Sequence, residues 1–345
     1  MSKALVISGG GSKGAFAVGV IKYLAANFPM SKFDMYVGTS TGSLIAPLAA
    51  LDKIDELEEL YTTQNTKDIV QKFNIGDRLS KNSIMGVDPL WKLVNKHYTD
   101  DFYEKLQQSG KQIFLATTCL QTSELVIYSN KPQAASDNYA SRQIETPMQF
   151  RKAVLASACQ PVFMPPVKVN LDFDGAEDQF YQYVDGGVRE YAGIEMAIQN
   201  GATEIVAILL SAEHTAVELT EYKDIYGILE KTISIFTEDV GKNDMVIPMQ
   251  FNEALKYIDS VKRKMRKAGL TKEEVDEYFT TSTTPNPFQD KVPLKIHIVR
   301  PQKPLGGGPG GLDFVPGDMT VMLSTGEEIM QEYIAKLEAE GSSWV

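Results

Sequence analysis

Two short stretches carry residue types at a spacing that chemistry can use. Gly38-Thr39-Ser40-Thr41-Gly42 has the form G-x-S-x-G. In that form a serine sits on a sharp strand-to-helix turn with its hydroxyl exposed as a nucleophile. The flanking glycines are small because strand and helix nearly touch there. Nearer the start of the chain, Gly9–Gly14 reads GGGSKG, between the apolar run Ala4–Ile7 and a helix-like stretch from Ala15. A glycine turn at a helix N-terminus offers backbone N–H groups to a phosphate or to a developing oxyanion.

Three readings of that turn compete. It matches G-x-G-x-x-G, the phosphate turn of dinucleotide-binding proteins. The acidic ribose ligand of such a site ends the second strand, however, and Asp34 begins it. A P-loop needs Lys then Ser or Thr directly after its last glycine, and Gly14 is followed by Ala15 and Phe16. The third reading is an oxyanion hole. Parallel strands expose their C-terminal ends on one edge, so the glycine turn and Ser40 would share a crevice. One would supply amides and the other the attacking oxygen. Two unrelated tight turns are the structural alternative.

A serine nucleophile needs a base. The histidines are His97, His214 and His297. An α/β-hydrolase order would permit His214 or His297, but that fold places several strands before its serine, and a single βα unit precedes Ser40. His97 lies in a polar helical stretch and His297 alternates within a strand-like run, so both are read as structural. Asp185, in Tyr183-Val184-Asp185-Gly186-Gly187, follows an apolar strand. Desolvation there would raise its pKa and make it a better base. A plain Asp-Gly turn is the competing reading.

GGGSKG, GTSTG and DGG, in this order, resemble the motifs of the patatin-like phospholipases. The stretch Ala156–Pro166, ASACQPVFMPP, also looks like that family's A-S-x-x-x-P-x-x-F-x-P-P segment. Together the four span residues 5–190. The resemblance implies a three-layer α/β fold with a mostly parallel central sheet and helices on both faces. It implies Ser40 as nucleophile and Asp185 as base of a dyad without histidine, within the Asp185-Gly186-Gly187 motif. The amides of Gly10 and Gly11, with neighbours Gly9 and Ser12, would form the oxyanion hole. Lys13 matches a basic position that braces the loop before Gly14, and Gly38 and Gly42 flank the nucleophile. The implied reaction is hydrolysis of a phospholipid or lysophospholipid acyl ester through an acyl-enzyme, of phospholipase A or lysophospholipase type, with no metal or cofactor. A nucleotide-binding α/β protein using Gly9–Gly14, or a lipid-binding module without catalysis, are the alternatives.

These residues need a scaffold. Strands are expected at 3–8, 33–38, 112–119, 123–128, 179–184, 203–210 and 292–299, and helices at 13–27, 41–51 and 325–339. Residues 53–110 read as a helical insertion with no strand, and 222–282 as a helical block. Residues 1–215 would form the catalytic core, with 216–345 packed on the same domain. The Gly/Pro loop at 305–311 is the one low-complexity piece.

The 345 residues are 43% hydrophobic and 23% charged, with a net charge of −11. That charge argues against nucleic acid as a partner. Cys119 and Cys159 lie in apolar contexts and are expected as free thiols. Without a secretory signal or a long apolar run, a cytoplasmic protein is expected. The acidic run Asp172–Asp178 places Gly175 fourth, where a calcium loop needs a glycine sixth, so no metal is expected there. Lys262–Lys267 holds five cations in six residues near a helix end. They complement the helix dipole, or they give a local peripheral contact with anionic lipid.

Overall fold

The computed structural model describes residues 2–73, 81–169, 181–213, 221–281, 283–289, 291–342 and 344. The chain opens with β1 (Ser2–Ile7), a single 3₁₀ turn at Gly11–Lys13, α1 (Gly14–Asn27), β2 (Met35–Thr39) and α2 (Thr41–Ala50). Then come α3 (Ile54–Thr63), α4 (Thr66–Ile69), β3 (Gln71–Lys72), β4 (Met85–Gly86), α5 (Asp88–His97) and α6 (Asp100–Gln108). The middle of the chain supplies β5 (Gln112–Cys119), β6 (Leu125–Ser129), β7 (Ala140–Gln143), α7 (Pro147–Ala158) and β8 (Tyr183–Asp185). It ends with α8 (Ile194–Gln199), β9 (Ala202–Ile208), α9 (Ile225–Lys267), α10 (Lys272–Tyr278), β10 (Lys295–Val299) and α11 (Pro316–Ala339).

The main sheet runs β10-β9-β1-β2-β5-β6-β7, and β8 pairs with β5. The five strands from β10 to β5 are mutually parallel, whereas β6 and β8 run antiparallel to β5. Buried parallel strands need apolar side chains on both faces, and β1 meets that need. Leu5 and Ile7 join the layer that holds α1, α2, α7 and α11. Ala4 and Val6 face the opposite layer with Ile194, Met196 and Ala197 of α8. The architecture is therefore a mostly parallel sheet with helices on both faces. β10 extends the sheet beside β9, pairing His297 with Val206.

The structure departs from expectation at several places. Residues 53–110 contain a two-stranded antiparallel pair, Gln71–Lys72 with Met85–Gly86. Two residues per strand are too short for a periodic signal, so the pair could not be read from the sequence. β2 starts at Met35, not at residue 33, and α11 begins at Pro316, well before residue 325. Strand β7 and helices α7 and α8 were not anticipated; α7 has Thr146 as its N-cap, accepting from the Gln149 amide at 3.1 Å. The block at 222–282 is chiefly one 43-residue helix, α9, started by the Asp224 carboxylate accepting from the Gly227 amide at 2.9 Å. Two cations of its basic end are internally paired: Lys262 with Asp276 at 2.8 Å and Arg263 with Asp259 at 2.9 Å. His214, the acidic run Asp172–Asp178 and residues 179–180 of an expected strand lie outside the described residues. No helix among the described residues is long and apolar enough to cross a membrane.

Helices α1 and α11 cross with their backbones in contact. A β-carbon at Gly19 would overlap the Leu323 carbonyl, and one at Gly326 would overlap the Phe16 carbonyl. Gly326→Ala should therefore destabilise the fold even though alanine is the better helix former by about 1 kcal/mol. A net loss of about 1–3 kcal/mol is expected from overpacking. Urea denaturation at 25 °C measures it, and a stabilised variant would contradict the crossing.

Candidate active site

The site is built at the C-terminal ends of β1 and β2. After β2 the chain turns into α2 in a single residue, and Ser40 takes that turn with φ 57° and ψ −123°. A non-glycine residue held there stores strain, which persists only where surrounding bonds enforce it. The enforcing bonds are present. The Ser40 amide donates to Ser157 Oγ at 3.1 Å, and the Ser40 carbonyl accepts from the Ser43 amide at 2.9 Å and the Ser43 hydroxyl at 2.6 Å. A β-carbon at Gly38 would overlap the Gly42 carbonyl, and one at Gly42 would overlap the Ile7 carbonyl. The two glycines let strand and helix approach to backbone contact.

The first glycine turn lies beside this elbow. The α-carbon of Gly9 sits so close to Ser40 that an added β-carbon would lie 3.1 Å from the serine's own. The Lys13 amide donates to the Gly10 carbonyl at 3.2 Å, closing the 3₁₀ turn. No backbone or side-chain acceptor among the described residues is recorded for the amides of Gly10 and Gly11. Gly9, Gly10, Gly11 and Lys13 line the central cavity together with Ser40. Ser12 does not: its side chain is fully buried, its Oγ is without a partner among the described residues, and it faces Gly307. Gly14 lies beneath, against Thr41 and the Tyr61 ring.

Asp185 ends β8, which pairs antiparallel with β5 and places Thr117 opposite Asp185. The residue is 6% exposed. One oxygen, Oδ1, accepts from the Gly187 amide at 2.7 Å, so Asp185 does shape the turn at Gly186–Val188. Asp185 and Ser40 line the same cavity. Burial is the dominant influence on the proton affinity of Asp185 and raises its pKa to about 6; the neighbouring Ser40 side chain and the Gly187 amide pull the other way. A β-carbon at Gly186 would overlap the Ala116 carbonyl, which explains a glycine after the aspartate.

Helix α9 covers the cavity from above. Ile233, Ser234, Thr237 and Glu238 line it, while Ile235 and Phe236 face outward, exposed. The helix is pinned by Asp244, whose Oδ2 accepts from the amides of Tyr191 at 2.6 Å and Ala192 at 3.3 Å. Nearby Glu190 is buried and accepts from the Gly193 amide at 2.6 Å; burial first, and then the charge of Asp244, push its pKa up. Leu60, Leu90 and Val94 of the insertion, with Leu44 of α2 and Phe314, give the cavity an apolar wall. The enclosed volume is about 180 Å³.

Several wall residues carried no legible signal. Thr41 and Tyr61 share a short hydrogen bond beside the elbow, and burial raises the Tyr61 pKa. His97, read as structural, lines the cavity and pairs through Nδ1 with Glu56. Its helix is long in polar residues, and the turn that points it inward is tertiary. His297 is remote from Ser40's cavity: it is buried in β10, 3.0 Å from the Tyr333 hydroxyl, and burial lowers its pKa to about 4. Cys119 and Cys159 are buried free thiols, and burial pushes Cys159 up. No three His, Cys, Asp or Glu side chains converge as a metal site among the described residues.

The raised pKa of Asp185 has a sign that can be checked. Its ionised form is the one the fold disfavours, so stability is full below the unfolded value of 3.8 and falls as pH rises through about 6. Asp185→Asn keeps the acceptor for Gly187 and removes the charge. The variant should melt above the wild type at pH 8, by on the order of 2–3 kcal/mol, and the gap should close at pH 4. Thermal denaturation at the two pH values decides; a lower-melting variant at pH 8 would contradict the buried charge.

A family model described as patatin-like phospholipase matches residues 5–198, more than half of the chain. A cUMP-AMP-activated phospholipase from Escherichia coli is 44% identical over 64 residues, 17% of this chain. The match spans only 20% of that relative's length. Among solved structures, VipD from Legionella pneumophila aligns over 97% of this chain and 67% of its own, with 11% identity and a TM-score of 0.47.

Proposed function

The chain belongs to the patatin-like phospholipase family, and from that membership we propose that it is a lipid acyl hydrolase working through a Ser40–Asp185 dyad and an acyl-enzyme. The observation that carries the proposal is that Ser40, in its strained turn, the buried Asp185 carboxylate and the Gly9–Gly11 turn line one cavity, where burial lifts the Asp185 pKa to about 6. A carboxylate at the unperturbed value is too weak a base to take a serine proton usefully, and burial corrects that.

In this reading Ser40 Oγ attacks the carbonyl carbon of a fatty-acyl ester while its proton passes to Asp185. The carbonyl oxygen becomes an oxyanion and takes hydrogen bonds from the amides of Gly10 and Gly11. The tetrahedral intermediate collapses, the C–O bond to the alcohol breaks, and Asp185 returns the proton to the leaving alkoxide. Water then attacks the acyl-enzyme with Asp185 again accepting a proton, and Ser40 and the fatty acid are released. The apolar wall from Leu44 to Phe314 suits an acyl chain, which makes a phospholipid or lysophospholipid the substrate class.

The dinucleotide alternative fits less well. The Gly9–Gly14 turn packs against Ser40 through Gly9, and no acid ends β2 to hold a ribose. A lipid-binding module without catalysis would have no use for the strained Ser40 or for a carboxylate held at high energy.

A fluorophosphonate probe should label the wild type and leave Ser40→Ala unlabelled. Asp185→Asn, folded as above, should lose about 10²–10⁴ of its turnover of a nitrophenyl ester, the cost of a missing general base. The carboxylate must be ionised to accept a proton, so the rate should fall on the acid side with an apparent pKa near 6. An unlabelled wild type would leave the lipid-binding module; a near-normal Asp185→Asn rate would remove the dyad.

A further inference from the structure

The glycine turn that carries the Gly10 and Gly11 amides has little to hold it from within. Five glycines in twelve residues, from Ser8 to Gly19, give a backbone with high intrinsic freedom. Its one internal backbone bond at Gly10 is the acceptor contact with Lys13. Oxyanion donors act only when fixed before the charge develops, and a misplacement of about 1 Å can cost 10²-fold.

A second glycine-rich loop lies directly against it. Residues 305–311, LGGGPGG, come from the far end of the chain. Gly11, at φ +59°, and Gly311, at φ +73°, pack backbone to backbone. A β-carbon on Gly11 would overlap the Gly311 carbonyl, and one on Gly311 would overlap the Gly10 carbonyl. Gly307, at φ +92°, comes as close to Ser12, since a β-carbon there would overlap Ser12 Oγ. The second loop is itself anchored. The Asp313 amide donates to the Gly307 carbonyl at 2.9 Å, and the Gly311 amide to the Gly308 carbonyl at 3.2 Å. Beyond them, the Phe314 amide donates to Thr66 Oγ1 at 2.9 Å and the Thr66 amide to the Phe314 carbonyl at 3.1 Å. The glycine turn is thus pressed against a loop tied to the insertion.

We propose that the 305–314 loop positions the oxyanion amides, with Gly311 as the contact residue. The idea rests on the reading of Gly10 and Gly11 as oxyanion donors. Gly311 acts through those amides and touches no reacting atom. Its side of the contact must be glycine for two separate reasons, left-handed backbone and lack of room, and the two can be separated by experiment. Gly341 has nearly the same φ, +72°, and open space around it, so Gly341→Ala reports the cost of the backbone conformation alone.

The test compares Gly311→Ala, Gly307→Ala and Gly341→Ala with wild type, using steady-state hydrolysis of a nitrophenyl ester, thermal melting and affinity for an alkyl trifluoromethyl ketone. The ketone forms a hemiketal whose oxyanion sits on the amides. Gly311→Ala and Gly307→Ala should melt within a few degrees of Gly341→Ala. They should lose roughly 10- to 100-fold in kcat with KM within about twofold, and lose ketone affinity in proportion. Gly341→Ala should keep the wild-type kcat. Wild-type rates and ketone affinity in both loop variants would overturn the proposal. Failure of both to fold would overturn it too, since the loop would then serve stability alone. A wild type that neither hydrolyses the ester nor reacts with fluorophosphonate would instead refute the hydrolase reading.

Discussion

A carboxylate sealed from water beside a strained serine is the constraint around which the rest of the molecule is arranged. Burying an ionised group unpaired costs several kcal/mol, and the cost falls only if hydrogen bonds replace lost water. Asp185 receives such a bond from the Gly187 amide, and the neighbouring Ser40 side chain also favours its charged form. Each requires backbone at a fixed place. β8 must run antiparallel on β5 to bring Asp185 over the sheet edge, and Gly186 must be bare to clear the Ala116 carbonyl. On the other side, Ser40 must stay in its left-handed turn, which the Ser157 and Ser43 bonds enforce.

The same economy explains the cover. Helix α9 brings Asp244 onto the backbone just after the Asp185 turn, where it caps the amides of Tyr191 and Ala192. Gly241 of that helix packs on the Tyr191 ring. A second buried acid, Glu190, sits close enough for the Asp244 charge to raise its proton affinity, in addition to the larger effect of burial. On the side of the charge, carboxylates thus satisfy the backbone amides of Tyr191, Ala192 and Gly193. On the acyl side the cavity excludes water with plain hydrocarbon. That division suits a substrate with a polar ester at one end and a chain at the other.

Legibility in the sequence followed the range of each signal. The elbow could be read because G-x-S-x-G is local: strand, turn and helix lie within a dozen residues, and Gly38 and Gly42 make their contacts across that short span or to β1. The βαβα opening could be read because buried parallel strands leave continuous apolar runs. Strands β3 and β4, two residues each, leave no periodic trace. Helix α7 escaped notice although ASACQPVFMPP was recognised as a segment, because the motif reports a contact, between Ser157 and the Ser40 amide, and not a period. That His97 lines the cavity was hidden for a related reason. Polarity located its helix but not the face turned to the cavity.

Ser40, Asp185 and the first glycine turn are marked by residue type, order and local spacing alone, because a one-residue turn and a bare helix start demand particular residues wherever they occur. What tertiary structure alone decided is the environment of those residues. Whether Asp185 is a turn former or a proton acceptor depends on burial and on the position of Ser40, 145 residues earlier in the numbering; it bonds the turn and shares its cavity with the serine. In the sequence, 305–311 reads only as a low-complexity Gly/Pro loop. Gly311 is dictated by the Gly10–Gly11 backbone and Gly307 by the Ser12 side chain pressed against it, contacts between opposite ends of the chain that no local pattern encodes.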